Sequence, residues 1–525
     1  MMKIIKISVY LSLIIAILGQ AQVVYEPLDQ SVYSFLQRMY VRGLHTENLE
    51  VTPLSRSKIA ECLQVIQRGD SLLSVLDKQE LAFYSKDFAY ELQSHSSGNT
   101  VIESSWHLFR YSDSTMSLVL DPMLGVNINR RGYHRFSGAK LYGQFGDMVG
   151  YTFHFTENAE SGDRINDNRT NASATGINIV RRIGNSIEYS DIRATIGTKW
   201  KWGSIAMGKD YVNWGMGQRS KLILSSKAPS FPFIRLDINP TDWLRFYYFH
   251  GWLQSDVLDS SRTYSSRIST MPRNIYREKY IAAHLVSLTP MKDLNFSFGE
   301  SIVYSDISPN LLFLNPLLFY RAVDHYLTTK EIGDGNNSQI FFNADYRAFN
   351  MLELYGSLFI DEISTDAIFN DAKARNQLGY TLGFMLTSPF QTDVTITAEY
   401  TRMLPWVYSN FIQTQTYESD GYLLGNYIGQ NADQIYLKLE YRVLPQARVS
   451  LFYDYVRKGG LEDIHFQYEL PSPHFLYGTV TRNTQYGIDI FYEPYHDLRL
   501  SVQGIYDTQN KDKHRVVLQG AYGLF

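Results

Sequence analysis

Leu498-Arg499-Leu500-Ser501-Val502-Gln503-Gly504-Ile505-Tyr506-Asp507 alternates almost residue by residue. Leu498, Leu500, Val502, Gly504 and Tyr506 form a largely apolar row, and Arg499, Ser501, Gln503 and Asp507 a mostly polar one. Successive side chains of a strand point to opposite faces, so this segment reads as a strand with one greasy and one wet face. The same reading holds for Ile435, Leu437, Leu439 and Tyr441 against Tyr436, Lys438, Glu440 and Arg442. It holds again for Val394, Ile396, Ala398 and Tyr400 against Thr395, Thr397, Glu399 and Thr401. The period of two persists from about residue 100 onward, in tyrosine-ended strands of about ten residues, as a lipid-facing barrel wall with aromatic girdles requires. A soluble sandwich would use shorter strands.

The connections carry a second signal. Tight turns are predicted near Gly146, Gly203, Pro240, Pro290, Asn350, Pro389, Pro445 and Pro494. Between them fall long connections at 127–136, 158–190, 210–230, 253–278, 305–338, 362–376, 403–432 and 457–483, then a shorter one at 508–513. Short periplasmic turns facing long extracellular loops are the asymmetry of outer-membrane barrels. Counted from Met116 to Phe525, this register gives about eighteen antiparallel strands, an even number that returns both ends to the periplasm. Val101 to Arg110 also looks extended and is placed outside the wall, since adding it would make the count odd. At the terminus, Leu524, Tyr522, Leu518 and Val516 form the apolar row, out of phase with Phe525.

Working back towards the N-terminus, the period changes to 3.6. Val32, Phe35, Leu36, Met39 and Tyr40 share one helical face, and a second helix fits Ser55 to Gln67, with Ser55 as cap and Ile59, Leu63 and Ile66 inward. A third runs from Asp77 to Leu92. Before them, Lys3 and Lys6 precede an apolar run from Ile7 to Leu18 and the small-x-small triplet Gly19-Gln20-Ala21, which reads as a cleaved secretory signal. The predicted division is a signal peptide at 1–21, a periplasmic helical domain at 22–98 and an outer-membrane β-barrel at 99–525.

Composition agrees. The chain has 525 residues, 39 of them Tyr, and a mean hydropathy of −0.23, far too polar for a helical membrane protein. After the signal no apolar run reaches the roughly 18 residues of a spanning helix, so insertion must be by strands. The single cysteine, Cys62, cannot form an intramolecular disulfide and reads as a small buried residue on the second helix. A net charge of −4 provides no basic field for nucleic acid.

The sequence carries no His-Glu-x-x-His, no Gly-x-Ser-x-Gly, no phosphate-binding loop and no Cys/His metal spacing, so the chain is read as non-enzymatic, without cofactor or metal. Adjacent Asp361 and Glu362 point to opposite strand faces and cannot flank one bond. The most distinctive local sequence is Gly208 to Lys221, which holds Trp214-Gly215-Met216-Gly217-Gln218-Arg219. Trp214 offers a stacking face, and Arg219 and Lys221 offer cationic donors suited to an acidic sugar. The other reading, which does not exclude the first, is a plug loop folded into the lumen. Arg130, Arg131, His134 and Arg135 gather in one predicted outer loop, and Arg262, Arg267, Arg273 and Arg277 in another. The first three arginines, with Trp214, Arg219 and Lys221, are the candidate polysaccharide contacts. Rim arginines can also bridge lipopolysaccharide phosphates.

The chain resembles the Wzi family of capsule-assembly outer-membrane proteins, especially the Bacteroidetes versions. The resemblance rests on Tyr33 to Gly43 and Pro53-Leu54-Ser55-Arg56 with Ile59, Ala60 and Leu63, then Trp214-Gly215-x-Gly217 with Leu222-Ile223-Leu224-Ser225. Asn315-Pro316-Leu317 with Arg321, Tyr355 with Asp361-Glu362, and Gly425-x-x-x-Gly429-x-x-Ala432-Asp433 extend it over nearly the whole mature chain. It implies an eighteen-stranded barrel with a periplasmic helical bundle and a lectin-like role, in which the extracellular face anchors capsular polysaccharide or exopolysaccharide. Relatives named for gliding motility supply one alternative role, and a transport pore is another. The expected partners are the polysaccharide, outer-membrane lipid with lipopolysaccharide, and barrel-assembly machinery during biogenesis, with the protein a monomer.

Overall fold

The computed structural model describes residues 21–525 except 95–106, 114, 147, 163–168, 170–171, 178–180, 266, 268–271, 329–334, 364–375, 461–462, 469–470, 510–513 and 524–525. The predicted signal segment thus lies outside the described residues but for Ala21.

Among the described residues, eighteen antiparallel strands form the wall. The first six are β1 Met116–Asn129, β2 Gly132–Phe145, β3 Val149–Gly162, β4 Ser186–Trp200, β5 Gly203–Asp210 and β6 Phe231–Thr241. Six more follow: β7 Leu244–Leu258, β8 Tyr276–Met291, β9 Leu294–Ser305, β10 Asn337–Ala348, β11 Leu352–Glu362 and β12 Gln377–Thr387. The last six are β13 Val394–Met403, β14 Ala432–Leu444, β15 Ala447–Lys458, β16 Thr481–Tyr495, β17 Leu498–Asp507 and β18 Arg515–Tyr522. Each pairs with its neighbours in order, and β18 closes on β1 with Leu518 opposite Ile128 and Tyr522 opposite Leu124. Below that short seam, Phe109–Ser112 pairs with the rest of β1, Phe109 opposite Leu120. The stretch placed outside the wall therefore contributes its last residues to the sheet edge, because β18 is too short to cover β1 alone; residues 101–106 lie outside the described set.

Side-chain phase follows the sequence. Leu437, Leu439, Tyr441, Leu500, Val502, Leu518 and Val516 face outward and are exposed, while Glu440, Arg442 and Arg499 are buried inside. An encircling apolar band of this kind has no place in water and marks the wall as lipid-facing.

The helical segment forms α1 Val32–Val41, α2 Arg56–Arg68, α3 Val75–Asp87 and α4 Ala89–Ser94. Ser55 caps α2 by accepting from the Lys58 amide at 3.2 Å, and Ser74 and Asp77 form a capping box on α3. The single helix expected over 77–92 breaks at Phe88, which is fully buried. Phe35, Leu36, Ile59, Leu63, Ile66 and Phe88 fill the bundle core, and Cys62 is buried beside them as expected.

The bundle seats on the tight-turn end of the barrel through ion pairs and hydrogen bonds. Arg442 reaches Asp77 at 2.7 Å and Glu80 at 2.8 Å, and His496 reaches Asp87 at 3.1 Å. Arg347 donates to the carbonyls of Tyr40 at 2.9 Å and His45 at 3.0 Å.

One connection differs from the sequence reading, and a second takes a course the sequence did not specify. The predicted long loop at 127–136 is a tight hairpin, because β1 and β2 run on until Asn129 pairs with Gly132. Of the 305–338 connection, residues 306–328 lie outside the wall; helix α5, Tyr320–Thr328, sits there, and Phe313 and Tyr320 pack on Tyr248, Tyr280, Ile302 and Tyr304.

Candidate functional site

Three segments far apart in sequence fill most of the lumen. From the tight-turn end, residues 45–55 insert Glu50, whose carboxylate accepts from Ser287 at 3.1 Å, from Asn343 at 2.8 Å and from Ser297. From the other end, the 211–230 connection dips inward until Asn213 and Trp214 pair with Thr52 and Val51. The Gly215 amide then donates to the Glu50 carbonyl at 2.9 Å. The 404–431 connection packs Val407, Tyr408, Tyr417, Leu424 and Ile428 against Leu222, Ile223 and Leu224. At Gly425 the two plug segments cross so closely that a Cβ would overlap the Leu222 carbonyl and the Tyr408 hydroxyl.

This packing settles the position of three candidate residues. Trp214 is 0 % exposed, with its ring 6.2 Å from that of Phe249, so it is a plug anchor with no face for a sugar. Arg219 pairs with Asp454 at 2.7 Å and lies 5.2 Å from the Tyr436 ring, while its amide donates to Glu399 at 2.8 Å. Lys221 sits in the same plug near Glu399, Glu353 and Glu50. The plug alternative is therefore the arrangement observed, because β5 and β6 leave the connection no wall to pair with and its apolar residues find cover only inside. Asp361 and Glu362 likewise separate: Asp361 accepts from the Tyr408 amide at 2.8 Å, and Glu362 from Gln467 at 2.9 Å.

The remaining three do not converge either. Arg130 and Arg131 are exposed at the tip of the β1–β2 hairpin. Arg135 points outward, opposite Val126. It faces the lipid side of the wall because it is in phase with Tyr133 rather than with His134.

What the plug leaves open is a cavity of about 890 Å³ at the end of the long connections, lined by inner-face residues of β1 to β4 and reaching past β5 and β6 to the ends of β7 and β8. Leu28 and Asp29, from the chain leading into α1, also line it. Asn127, His134, Phe136, Asn158, Tyr189 and Tyr211 line it. His134 and Tyr189 are stacked, with ring centres 6.3 Å apart and planes 20° from parallel. The His134 ring contacts Asn158 Oδ1 at 2.9 Å, and Tyr189 donates to Glu160 at 2.9 Å. Asn127 Oδ1 is buried with no hydrogen-bond partner.

Most cations here face carboxylates, Arg277 reaching Asp306 at 3.4 Å, while Lys209 donates to the Ile192 carbonyl at 2.8 Å. Arg169 pairs with Glu160, and Arg193 pairs with Asp191 at 3.1 Å and Asp210 at 3.7 Å. Amides, hydroxyls and ring faces around balanced charge suit a hydroxyl-rich neutral ligand better than an anion. None of the six candidate residues lines this cavity; Arg130 and Arg131 stand on its rim, on the hairpin whose strands carry Asn127 and His134. The missed residues had a signal in the inward phase: Thr156-x-Asn158-x-Glu160 and Tyr189-x-Asp191-x-Arg193 are polar and aromatic at every second position.

Residues 189–515 match the family model described as capsule assembly protein Wzi. The chain belongs to the Wzi capsule assembly family. Among solved structures, it resembles Escherichia coli Wzi with a TM-score of 0.60 and 14% identity, over 96% of this chain and 100% of that one. That protein is described as an outer-membrane, carbohydrate-binding β-barrel involved in group 1 capsule assembly. At this identity the likeness shows the fold: the Wzi barrel. Looser matches include Acinetobacter baumannii OccAB4, 9% identical with a TM-score of 0.45 over 78% of this chain and 98% of that one. No curated protein matches the chain by sequence.

Proposed function

We propose that this Wzi-family barrel sits in the outer membrane, with its helical bundle in the periplasm, and retains exported polysaccharide at the cell surface as a lectin. The observation that carries the reading is the cavity at the long-connection end, lined by Tyr189, His134, Asn158 and Asn127 beside the plug. Family membership and the carbohydrate binding of the Escherichia coli relative support it. The cavity holds a short run of sugar units through hydroxyl hydrogen bonds and ring stacking, each worth about 1 kcal/mol, and repetition along a polymer multiplies weak contacts. Arg130 and Arg131 on the rim meet acidic substituents or lipopolysaccharide phosphates. The role is binding rather than catalysis, by a monomer that is exported by the 1–21 signal and inserted by barrel-assembly machinery. A motility role is the second outcome of the test below.

Cell-bound and shed polysaccharide, measured at two ionic strengths, test this. Tyr189→Ala and Asn158→Ala should shift polymer into the medium at both salt concentrations, with surface exposure of the barrel unchanged. Arg130→Gln with Arg131→Gln should have a smaller effect that fades with salt. If full deletion of the gene leaves the bound fraction unchanged, capsule retention is refuted and motility becomes the better reading.

A further inference from the structure

The segment 306–328 wraps the outside of the barrel, and its position raises the question of what covers its own outer surface. Towards the wall it buries Phe313 and Tyr320 against outward-facing Tyr248, Tyr280, Ala282, Ile302 and Tyr304. Away from the wall it exposes Ile307, Leu311, Leu312, Leu317, Phe319 and Tyr326, with Leu311 at 80% and Leu317 at 82%. The segment also exposes Asp306, Arg321 and His325, but its large exposed side chains are mostly apolar, and such a surface calls for an apolar occupant.

Its height on the wall decides which occupant. The amide of Tyr320, at the start of α5, donates to Glu300 on β9 at 2.6 Å. Glu300 lies six residues above the tight-turn end of β9 at Leu294, about 15 Å up the barrel axis for strands tilted by about 40°. On an uncovered part of the wall, Ile435 lies nine residues above the end of β14 at Leu444 and is still an exposed, outward-facing apolar residue. The segment therefore descends to levels where the rest of the barrel meets acyl chains. Directly below it, Phe296 and Phe298 on β9 continue the same exposed belt.

The chemistry underneath agrees. His250, His284 and Glu300 face outward at belt height, and bare polar groups there would confront hydrocarbon. On the wall His284 Nε2 lies 3.2 Å from Glu300 Oε1 and His250 Nε2 meets the Tyr304 hydroxyl at 2.8 Å; the segment covers them, with the Tyr320 ring 4.7 Å from that of His284, the Arg321 amide donating to Glu300 at 3.4 Å and the Asn310 amide to the Tyr304 hydroxyl at 3.3 Å. We infer that residues 306–328 are a membrane-embedded strap, whose Leu311, Leu317 and Phe319 are solvated by acyl chains of the membrane leaflet at the long-connection end. The strap thickens the wall on one side and makes β7 to β9 the sector in which protein, rather than strand side chains alone, meets lipid.

A nitroxide label at Leu317→Cys, in a Cys62→Ala background, tests this in full-length protein reconstituted into phosphatidylethanolamine–phosphatidylglycerol vesicles. Power saturation compares collision with oxygen, which concentrates in hydrocarbon, against a water-soluble nickel chelate. Leu437→Cys on the bare wall and Arg130→Cys at the hairpin tip are the lipid and water references. The expected result is oxygen accessibility several-fold above nickel accessibility at 317, matching 437. A nickel-dominated signal matching 130 would overturn the inference. So would an immobilised spectrum shielded from both reagents, which would mean a protein partner or a second copy covers the strap. Heat-modifiability confirms insertion of each variant, and the same label at Leu311→Cys gives an independent reading should Leu317→Cys not insert.

Discussion

Replacing Glu399 with alanine should loosen the plug without dismantling the wall. Glu399 projects inward from β13 and accepts the amides of Gln218 and Arg219, the latter at 2.8 Å, and the Tyr355 hydroxyl at 2.8 Å. Alanine leaves three donors without their acceptor, at a gross cost of about 3–5 kcal/mol, partly offset by removing a buried charge. A net loss of about 2–4 kcal/mol corresponds to a rise of roughly 30- to 1,000-fold in the population of locally opened plug, at about 1.4 kcal/mol per decade. Hydrogen exchange reads this directly: amides of residues 212–224 should exchange faster by that factor, while those of β14 stay unchanged. Glu399→Gln, which keeps a carbonyl acceptor, should fall between. In planar bilayers the parent protein should be closed, and Glu399→Ala should show brief openings. Exchange in 212–224 that changes by less than about threefold would refute the clamp, given the size of the cost worked above. Steady conductance from the parent protein would refute the filled lumen itself.

Three further outcomes follow from the bundle. Arg56 pairs with Glu26 and Glu91 at 2.7 Å each and with Asp87 at 3.3 Å, so Arg56→Ala strands three buried carboxylates; helical ellipticity should melt earlier, by a loss of about 3–5 kcal/mol, while the β-signal stays. Burial pushes the Cys62 thiol up to about 12, so maleimide should label it only after unfolding; labelling of the native protein would show the bundle open. Burial holds His45 down at about 4, so the unfolded chain binds a proton that the folded bundle refuses. Bundle stability from this group is complete above about pH 6.5 and falls as pH drops towards 4, by up to about 3 kcal/mol. His45→Gln should flatten that slope in thermal melts between those pH values, and an unchanged slope would assign it to other groups.

The wall was legible from sequence because alternation is local: each strand carries its own record of which face meets lipid and which meets the lumen, as Leu437 and Glu440 show. The bundle was legible for the same reason, since Phe35, Ile59 and Leu63 repeat at helical spacing. The register of turns even yielded the strand number. What the sequence left open was the fate of the connections. Trp214 and Arg219 have the residue types of a ligand site, but whether a ring and a guanidinium face solvent or a buried partner depends on Phe249 and Asp454, which approach them only in the folded barrel. The same holds at Arg135, where the ladder runs on to Asn129 and Gly132, turning a presumed loop into strand and setting the side chain on the lipid side. The cavity is a remainder: it exists where segments 45–55, 211–230 and 404–431 fail to fill the space beside β1 to β4. No local pattern records such a remainder, because its boundaries come from segments hundreds of residues apart. Periodicity fixed the elements of this protein; only their closure around the plug decided which polar and aromatic side chains were left facing an open space.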